Sequence, residues 1–130
     1  MENLVSALSA FRGKRVLVTG DTGFKGSWLS LWLAEAGAEV YGYALPPERA
    51  EDHFNLLKLS GRIRHQDGDI RDHELLGACF EKAQPEFVFH LAAQALVRRS
   101  YRDPKETFDT NVGGSVNVLE CVRNAAARVR

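Results

Sequence analysis

Between residues 16 and 33 the chain reads VLVTGDTGFKGSWLSLWL. A β-branched run ends at Thr19, an amphipathic run begins at Phe24, and three glycines fall at Gly20, Gly23 and Gly26. Few folds use this arrangement. Glycine takes positive φ without strain, which suits Gly20 to a tight strand-to-helix turn. Gly23 has no Cβ, so an anion can approach the backbone and the free N–H groups of a helix start. Gly26, inside the helix, lets that helix lie close on a sheet. A strand, a turn with this glycine spacing and a helix together meet the context that a dinucleotide-binding βα unit requires. Thr22, Phe24 and Lys25 share the turn and are candidate cofactor contacts, with Thr22 and Lys25 as polar groups at its rim. Asp21 is harder to place beside a pyrophosphate and reads as a cap on the helix, where the N-terminal dipole favours a carboxylate.

The rest of the chain alternates. Residues 15–19 (RVLVT) form an apolar run without alternation, as in a strand buried on both faces. Residues 24–36 read as a helix with Phe24, Trp28, Leu31 and Trp32 on one stripe, ending at Gly37. Residues 39–43 (EVYGY) form a second strand and 48–59 a weak helix after Pro46-Pro47. A short third strand spans 62–65, and GDIRD turns after it. Asp72 caps a helix to residue 83 with Leu75, Leu76, Cys79 and Phe80 inward. Residues 87–91 (FVFHL) form a fourth strand. Asp103, Pro104 and Glu106 make a capping-box start to a last helix, which runs to around residue 127 with Val112, Val116, Leu119 and Val122 on its apolar stripe. Val129 would open a fifth strand. Ahead of the first strand, Leu4, Val5, Leu8 and Phe11 suggest a short amphipathic arm.

Strands alternating with helices mean βαβ units and a parallel sheet covered on both faces. Right-handed crossovers then give the strand order 3-2-1-4, part of a doubly wound Rossmann-like fold. At 130 residues the chain makes one domain. Its 17 basic and 17 acidic residues balance, which excludes the basic surplus that nucleic acid or an anionic membrane would call for. Cys79 and Cys121 lie in apolar helical patterns with no CxxC, and read as buried thiols of a reducing cytosol rather than a disulfide or metal site. No apolar run reaches the roughly 18 residues of a membrane span.

The residues alone leave NAD and NADP open. The usual ribose-binding acid at the end of strand two is replaced by Tyr41-Gly42-Tyr43-Ala44, and Glu39 lies at the strand's other end. His53, His65 and His73 read as surface residues, and His90 as a packed strand-end residue.

Further motifs follow in order: TGxxGxxG at 19–26, GDIRD at 68–72, HLAAQ at 90–94, RRSY at 98–101 and TNVGGS at 110–115. Together they resemble the extended short-chain dehydrogenase/reductase family, in its sugar-nucleotide dehydratase and epimerase branch. The wording GFKGSWLSLWL, GYALPP and AAQALVRRSY is most similar to the CDP-glucose 4,6-dehydratases. The resemblance covers the chain from Phe11 onward. It implies a bound NAD, with NADP not excluded, and a nucleotide-sugar substrate, CDP-glucose. Asp69 would then bind the adenine amino group with Ile70 beside the ring, Tyr43 would lie at the cofactor, and Leu91, Ala92, Ala93 and Gln94 would line it. Arg98, Arg99 and Ser100 would face the substrate diphosphate, where a guanidinium offers a bidentate fork, though two adjacent arginines cannot both point inward. Asn111 would be a structural asparagine of the last helix. A cytoplasmic homodimer is implied for the full-length enzyme.

The resemblance also implies what this stretch lacks. The family's Tyr-x-x-x-Lys pair lies on a helix after strand five. The literal match here, Tyr101 to Lys105, straddles the helix start at Asp103-Pro104 and precedes strand five, so it is rejected, and Tyr101 reads as a loop residue near the substrate cleft. The 130 residues are therefore expected to be the cofactor-binding part of a longer enzyme, without turnover of their own. Another sugar-nucleotide epimerase or reductase of the same family is one alternative, and a complete, non-catalytic dinucleotide sensor is the alternative from another class.

Overall fold

The computed structural model describes residues 2–125 and 129–130. Val16, Leu17 and Val18 have no exposed surface, as an uninterrupted apolar strand covered on both faces requires. They belong to β1 (Arg15–Thr19), which pairs in parallel with β2 (Glu39–Ala44) and β4 (Phe87–His90). β3 (Arg64–Asp67) pairs with the outer edge of β2, giving the order β3-β2-β1-β4. This is the Rossmann-like topology expected, with Leu17 opposite Tyr41 and Val88 in register.

Side chains alternate across the sheet and so feed two cores. Val16, Val18 and Val40 meet Leu33, Phe54, Leu59 and Ile63 on one face. Leu17, Tyr41 and Tyr43 meet Ile70, Leu76, Phe80 and Val118 on the other. The first face is covered by α2 (Phe24–Glu35) and α3 (His53–Leu56) with the 3₁₀ turn Leu59–Gly61. The second is covered by α4 (His73–Ala83) and α7 (Gly114–Asn124). A short α1 (Glu2–Ser9) precedes the sheet, and Phe11 after it packs edge-on against Phe87 at 5.0 Å between ring centroids. Both cysteines are free and buried in the second core, where burial pushes the Cys79 thiol up to about 11.

The capping residues behave as their chemistry dictates. Asp72 accepts from the Leu75 amide at 3.0 Å, and Asp103 accepts from the Glu106 amide at 3.1 Å. Asp103 starts α6 (Pro104–Phe108), which continues through a π-helical turn, Asp109–Gly113, into α7. The expected helix end near residue 127 falls on residues outside those described. Val129 is not in a strand, but Arg130 donates to Glu86 O at 2.9 Å and accepts from Val88 N at 3.0 Å, which is parallel pairing along the free edge of β4.

Several expectations change. The stripe of Phe24, Trp28 and Trp32 faces outward, at 71%, 40% and 48% exposure, while Gly26, Ser27, Ser30 and Leu33 face the sheet. Val112 in the π-helical turn and Val116 and Leu119 in α7 are likewise exposed, and Gly114, Val118 and Cys121 of α7 face inward. In both helices small residues, Gly26, Ser27 and Ser30 in α2 and Gly114 in α7, make room for the close approach to the sheet, so the larger apolar stripe marks the opposite side. Leu75 is also at the surface, one position from the buried Leu76. The third strand lies two residues later than expected, and the weak helix at 48–59 reduces to α3 and the 3₁₀ turn. Residues read as a loop form α5 (Val97–Arg102).

Packing at Gly114 tests this account. A Cβ there would stand 2.6 Å from Ile70 Cγ2, whereas one at Gly113 would meet nothing within 4 Å. Gly114→Val is expected to cost about 1–3 kcal/mol in urea denaturation. Gly113→Ala is expected to leave stability unchanged or raise it by up to ~1 kcal/mol.

Candidate functional site

A cleft of about 340 Å³ opens where the strands end. Its floor combines Gly20 after β1, Ala44 at the end of β2, Gly68 and Asp69 after β3, and Leu91 and Ala92 after β4. Ligands of open parallel sheets bind at this carboxyl end, where strand order reverses direction about β1.

The glycine turn shapes one wall. Gly20 has φ of +78°, and its amide donates to Tyr43 O at 2.9 Å, so the turn keeps pairing with β2. A Cβ on Gly20 would lie 2.7 Å from Ala92 N, and one on Gly26 would lie 1.9 Å from Gly20 O. The turn is thus wedged between α2 and the end of β4, and neither position admits a larger residue. Gly23 occupies the cap position of α2 without any side-chain cap. Among the described residues, the Phe24 and Lys25 amides meet no acceptor, so they stand free at the helix start, where an anion is favoured. The Thr22 hydroxyl donates to Leu45 O at 2.7 Å and ties the turn to the end of β2.

Thr19 organises the opposite wall. Its buried Oγ1 accepts from the Leu91 and Ala92 amides at 3.1 and 3.2 Å, fixing the chain as it leaves β4. The same hydroxyl lies 2.7 Å from His90 Nδ1, and His90 Nε2 lies 3.1 Å from Ser115 Oγ. Ser115 donates to Asn111 O at 2.6 Å, so its oxygen receives the His90 Nε2–H. With both lone pairs of Thr19 Oγ1 taken by the Leu91 and Ala92 amides, its hydrogen is left to donate to His90 Nδ1, which fits a neutral ring, and burial pushes the His90 pKa below the ordinary histidine value. Asn111 holds the next residue from both sides. Its Oδ1 accepts from Gln94 N at 2.8 Å and its Nδ2 donates to Gln94 O at 3.1 Å.

Gly20, Thr22, Gly23, Tyr43, Asp69, Ile70, Leu91, Ala92, Ala93 and Gln94 all line this cleft, as does Arg99. Tyr43 is fully buried beneath Gly68 and its hydroxyl donates to Asp69 O at 2.8 Å, so it shapes the floor. Asp69 accepts from Arg71 Nη2 at 2.6 Å, and that guanidinium holds the carboxyl below the usual range. Gln94 spends its side-chain amide on Leu96 and Thr107 rather than facing the opening.

Five expected residues do not line it. The Phe24 and Lys25 side chains lie on the outer face of α2 with Trp28 and Trp32, and only their amides face the turn. Gly26 acts by contact with Gly20. Arg98 is exposed outside the cleft, and the Ser100 hydroxyl donates to Val97 O at 2.6 Å within α5. Of the adjacent arginines only Arg99 turns inward, bound to Glu106 at 2.6 Å. Tyr101 is 84% exposed and away from the cleft, and the non-helical Asp103 separates it from Lys105.

Sequence reasoning missed Glu48, Arg71, Glu106 and Thr19. Glu48 lines the cleft just past β2, four residues after the position where an acid is usually sought. Asp21 is not a cap. Its carboxylate turns from the helix start into the sheet, fully buried, and meets His65 Nδ1 at 2.6 Å. His65 is consequently largely buried, and His53 is pinned by Ser27 Oγ at 2.6 Å. Neither is a free surface histidine. Among the described residues no group of three or more His, Cys, Asp or Glu could hold a metal ion, and no helix is long and apolar enough to cross a membrane.

A family model described as GDP-mannose 4,6 dehydratase matches residues 17–130. The chain is 53% identical over 113 residues to a CDP-glucose 4,6-dehydratase of Salmonella typhimurium, covering 87% of this chain and 32% of that one. It therefore spans about a third of the length of the curated relatives it matches. An epimerase, Mth375, from Methanothermobacter thermautotrophicus superposes with a TM-score of 0.82 at 33% identity, over 95% of this chain and 35% of that one. A UDP-glucose-4-epimerase from Stenotrophomonas maltophila, solved with NAD and formylated UDP-arabinopyranose, superposes with a TM-score of 0.75 at 28% identity, over 88% and 34%.

The Thr19 clamp generates a prediction. Thr19→Val leaves the Ala92 amide without its acceptor, while the Leu91 amide keeps Thr19 O at 3.0 Å, and is expected to cost about 1–3 kcal/mol in denaturant unfolding. In the same variant the His90 pKa, followed by NMR, shifts from its present value as the Nδ1 partner is lost. Thr19→Ser is expected to retain both properties.

Proposed function

Because the chain belongs to the GDP-mannose 4,6 dehydratase family, in the sugar-nucleotide dehydratase and epimerase branch of the extended short-chain dehydrogenases/reductases, we propose that it is the NAD-binding part of a CDP-glucose 4,6-dehydratase. The 53% identity to the Salmonella enzyme, which extends across the segment that builds the cleft, carries this reading. Residues 1–130 make the amino-terminal portion of the cofactor domain in a longer, cytoplasmic, homodimeric enzyme, and the acid/base residues lie outside them.

The residues present fit a dinucleotide. The uncapped start of α2 offers the Phe24 and Lys25 amides to a pyrophosphate, and the Gly20–Gly26 contact leaves the backbone bare for its approach. Asp69, Ile70, Ala92 and Ala93 line the cleft; the first two would hold the adenine, and the small Ala92 and Ala93 would leave room for the nicotinamide ribose. Arg99 presents its guanidinium to the substrate diphosphate from the far wall. When bound, NAD+ supplies a reversible hydride acceptor for a reaction in which hydride leaves C4 of the hexose, water is eliminated between C5 and C6, and hydride returns to C6. The chain's own part is to bind, orient and hold these groups.

Charge favours NAD over NADP. Asp69 pairs with Arg71, so that guanidinium is not left for a 2′-phosphate, and the other described arginine lining the cleft, Arg99, is assigned to the substrate diphosphate. Glu48 adds a negative charge near the end of β2, where a ribose hydroxyl is welcome and a phosphate is repelled. Arg49, the nearest alternative cation in sequence, does not line the cleft.

Calorimetric titration is expected to give NAD+ an affinity at least about tenfold above NADP+, with the gap narrowed in Glu48→Gln. Equal or reversed affinities would contradict the charge argument. With the full-length enzyme, CDP-glucose and NAD+ are expected to yield a 4-keto-6-deoxy product lighter by one water in mass spectrometry. A product of unchanged mass would make the enzyme an epimerase instead. The 130 residues alone are expected to show no turnover.

A further inference from the structure

The most unusual group near the cleft is one the proposed reaction does not use. Asp21 follows Gly20 directly in the glycine turn, yet its carboxylate is completely buried. It lies over β2 at Gly42, the one position that leaves room for it, since a Cβ there would stand 2.0 Å from Asp21 Oδ2. Oδ2 reaches His65 Nδ1 on β3 at 2.6 Å, and His65 Nε2 reaches Asp67 Oδ1 at 2.8 Å. The chain of contacts thus runs from the turn, across a whole strand, to the edge strand of the sheet. Among the described residues Asp21 Oδ1, which is buried, meets no hydrogen-bond partner.

Two features favour an imidazolium. Both ring nitrogens of His65 point at carboxylate oxygens, and with both carboxylates ionised only an imidazolium donates from both. The buried carboxylate, with one oxygen unpaired, needs a counter-charge, and among the described residues His65 is the group paired with it. The groups facing His65 are Asp21 from the turn, Asp67 on its own strand, the uncharged Phe54 ring from α3 at 5.0 Å between centroids, and Gly42 of β2, which has no side chain. Its two carboxylates hold the imidazolium above the ordinary histidine pKa, against the opposing effect of burial. Burial likewise pushes the Asp21 carboxyl up, so the anion depends on its partner.

We infer that Asp21 and His65 form a tether through the sheet that holds the glycine turn in its pyrophosphate-receiving shape, and that loss of the His65 proton slackens it and weakens dinucleotide binding. This rests on reading the cleft as a dinucleotide site. Asp21 and His65 are positioning residues: neither touches the cofactor. The tether is present below the ordinary histidine pKa, down to the acid range where Asp21, its own pKa raised by burial, takes up a proton. It is lost as pH rises through the folded-state pKa of His65, because a group whose pKa is raised by folding gives up its stabilisation on the alkaline side. Each unit by which the turn's shape raises that pKa corresponds to about a tenfold change in affinity.

The test measures NAD+ affinity from pH 6 to 9 for the unaltered chain, His65→Gln and Asp67→Asn, with folding followed by circular dichroism. His65 protonation is read by NMR. The expected result is an affinity about tenfold lower at high pH, with its midpoint at the NMR pKa of His65. His65→Gln, which keeps a donor but no charge, flattens the profile. Asp67→Asn, altered only at an exposed side chain, moves the midpoint to lower pH. A flat profile in the unaltered chain, a profile unchanged in folded His65→Gln, or an unmoved midpoint in Asp67→Asn overturns the inference. If NAD+ binds at no pH, the reading of the cleft fails and the tether is judged separately. Hydrogen-exchange protection of the Gly20 and Gly23 amides, corrected for intrinsic rates, must then fall through the His65 midpoint, and constant protection refutes it.

Discussion

The contact between Gly26 and the carbonyl of Gly20 governs the rest. A helix that follows a central strand directly must turn over the end of the sheet, and its first turn then presses on the backbone it has just left. With no room for a Cβ at either residue, α2 lies against β1 and its start points across the strand ends. The free amides, the cleft between the ends of β1 and β4, and the direction from which an anion can approach all follow from that one close approach.

The same demand explains where sequence reading succeeded and failed. Strand identity and order were legible because RVLVT and FVFHL are continuous apolar runs that only a doubly covered parallel sheet accommodates. Caps were legible because Asp72 and Asp103 act locally. The facing of α2 and α7 was not. Periodicity picks out the largest apolar stripe, whereas close packing on a sheet selects Gly26, Ser27 and Ser30 in one helix and Gly114 in the other. The rule that bulk marks the core holds for α4, whose Leu76 and Phe80 fill space, and fails where a helix must come near.

Within the site, residues anchored by the backbone pattern were found: the glycines, Asp69 and the Leu91–Gln94 segment. Those defined by distant partners were not. Thr19 is an ordinary strand residue until the chain returns at β4 seventy-odd residues later and offers its amides. Asp21 looked like a cap because a cap needs only its own helix. Its actual partner, His65, sits two strands away, and only the missing side chain of Gly42 lets the two meet. Arg99 could be told from Arg98 only once α5 and α6 were placed.

The account stands on the glycine turn receiving an anionic bridge between two nucleotides. Its most direct test is to record amide resonances of the chain while NAD+ is added. The account predicts that the Phe24 and Lys25 amides shift most, because they gain an acceptor, with smaller changes at Gly23, whose amide already donates to Gly20 O, and at Asp69 and Ala92. A folded sheet whose turn amides stay unmoved at saturating NAD+, or shifts confined to the outer face of α2, would contradict it.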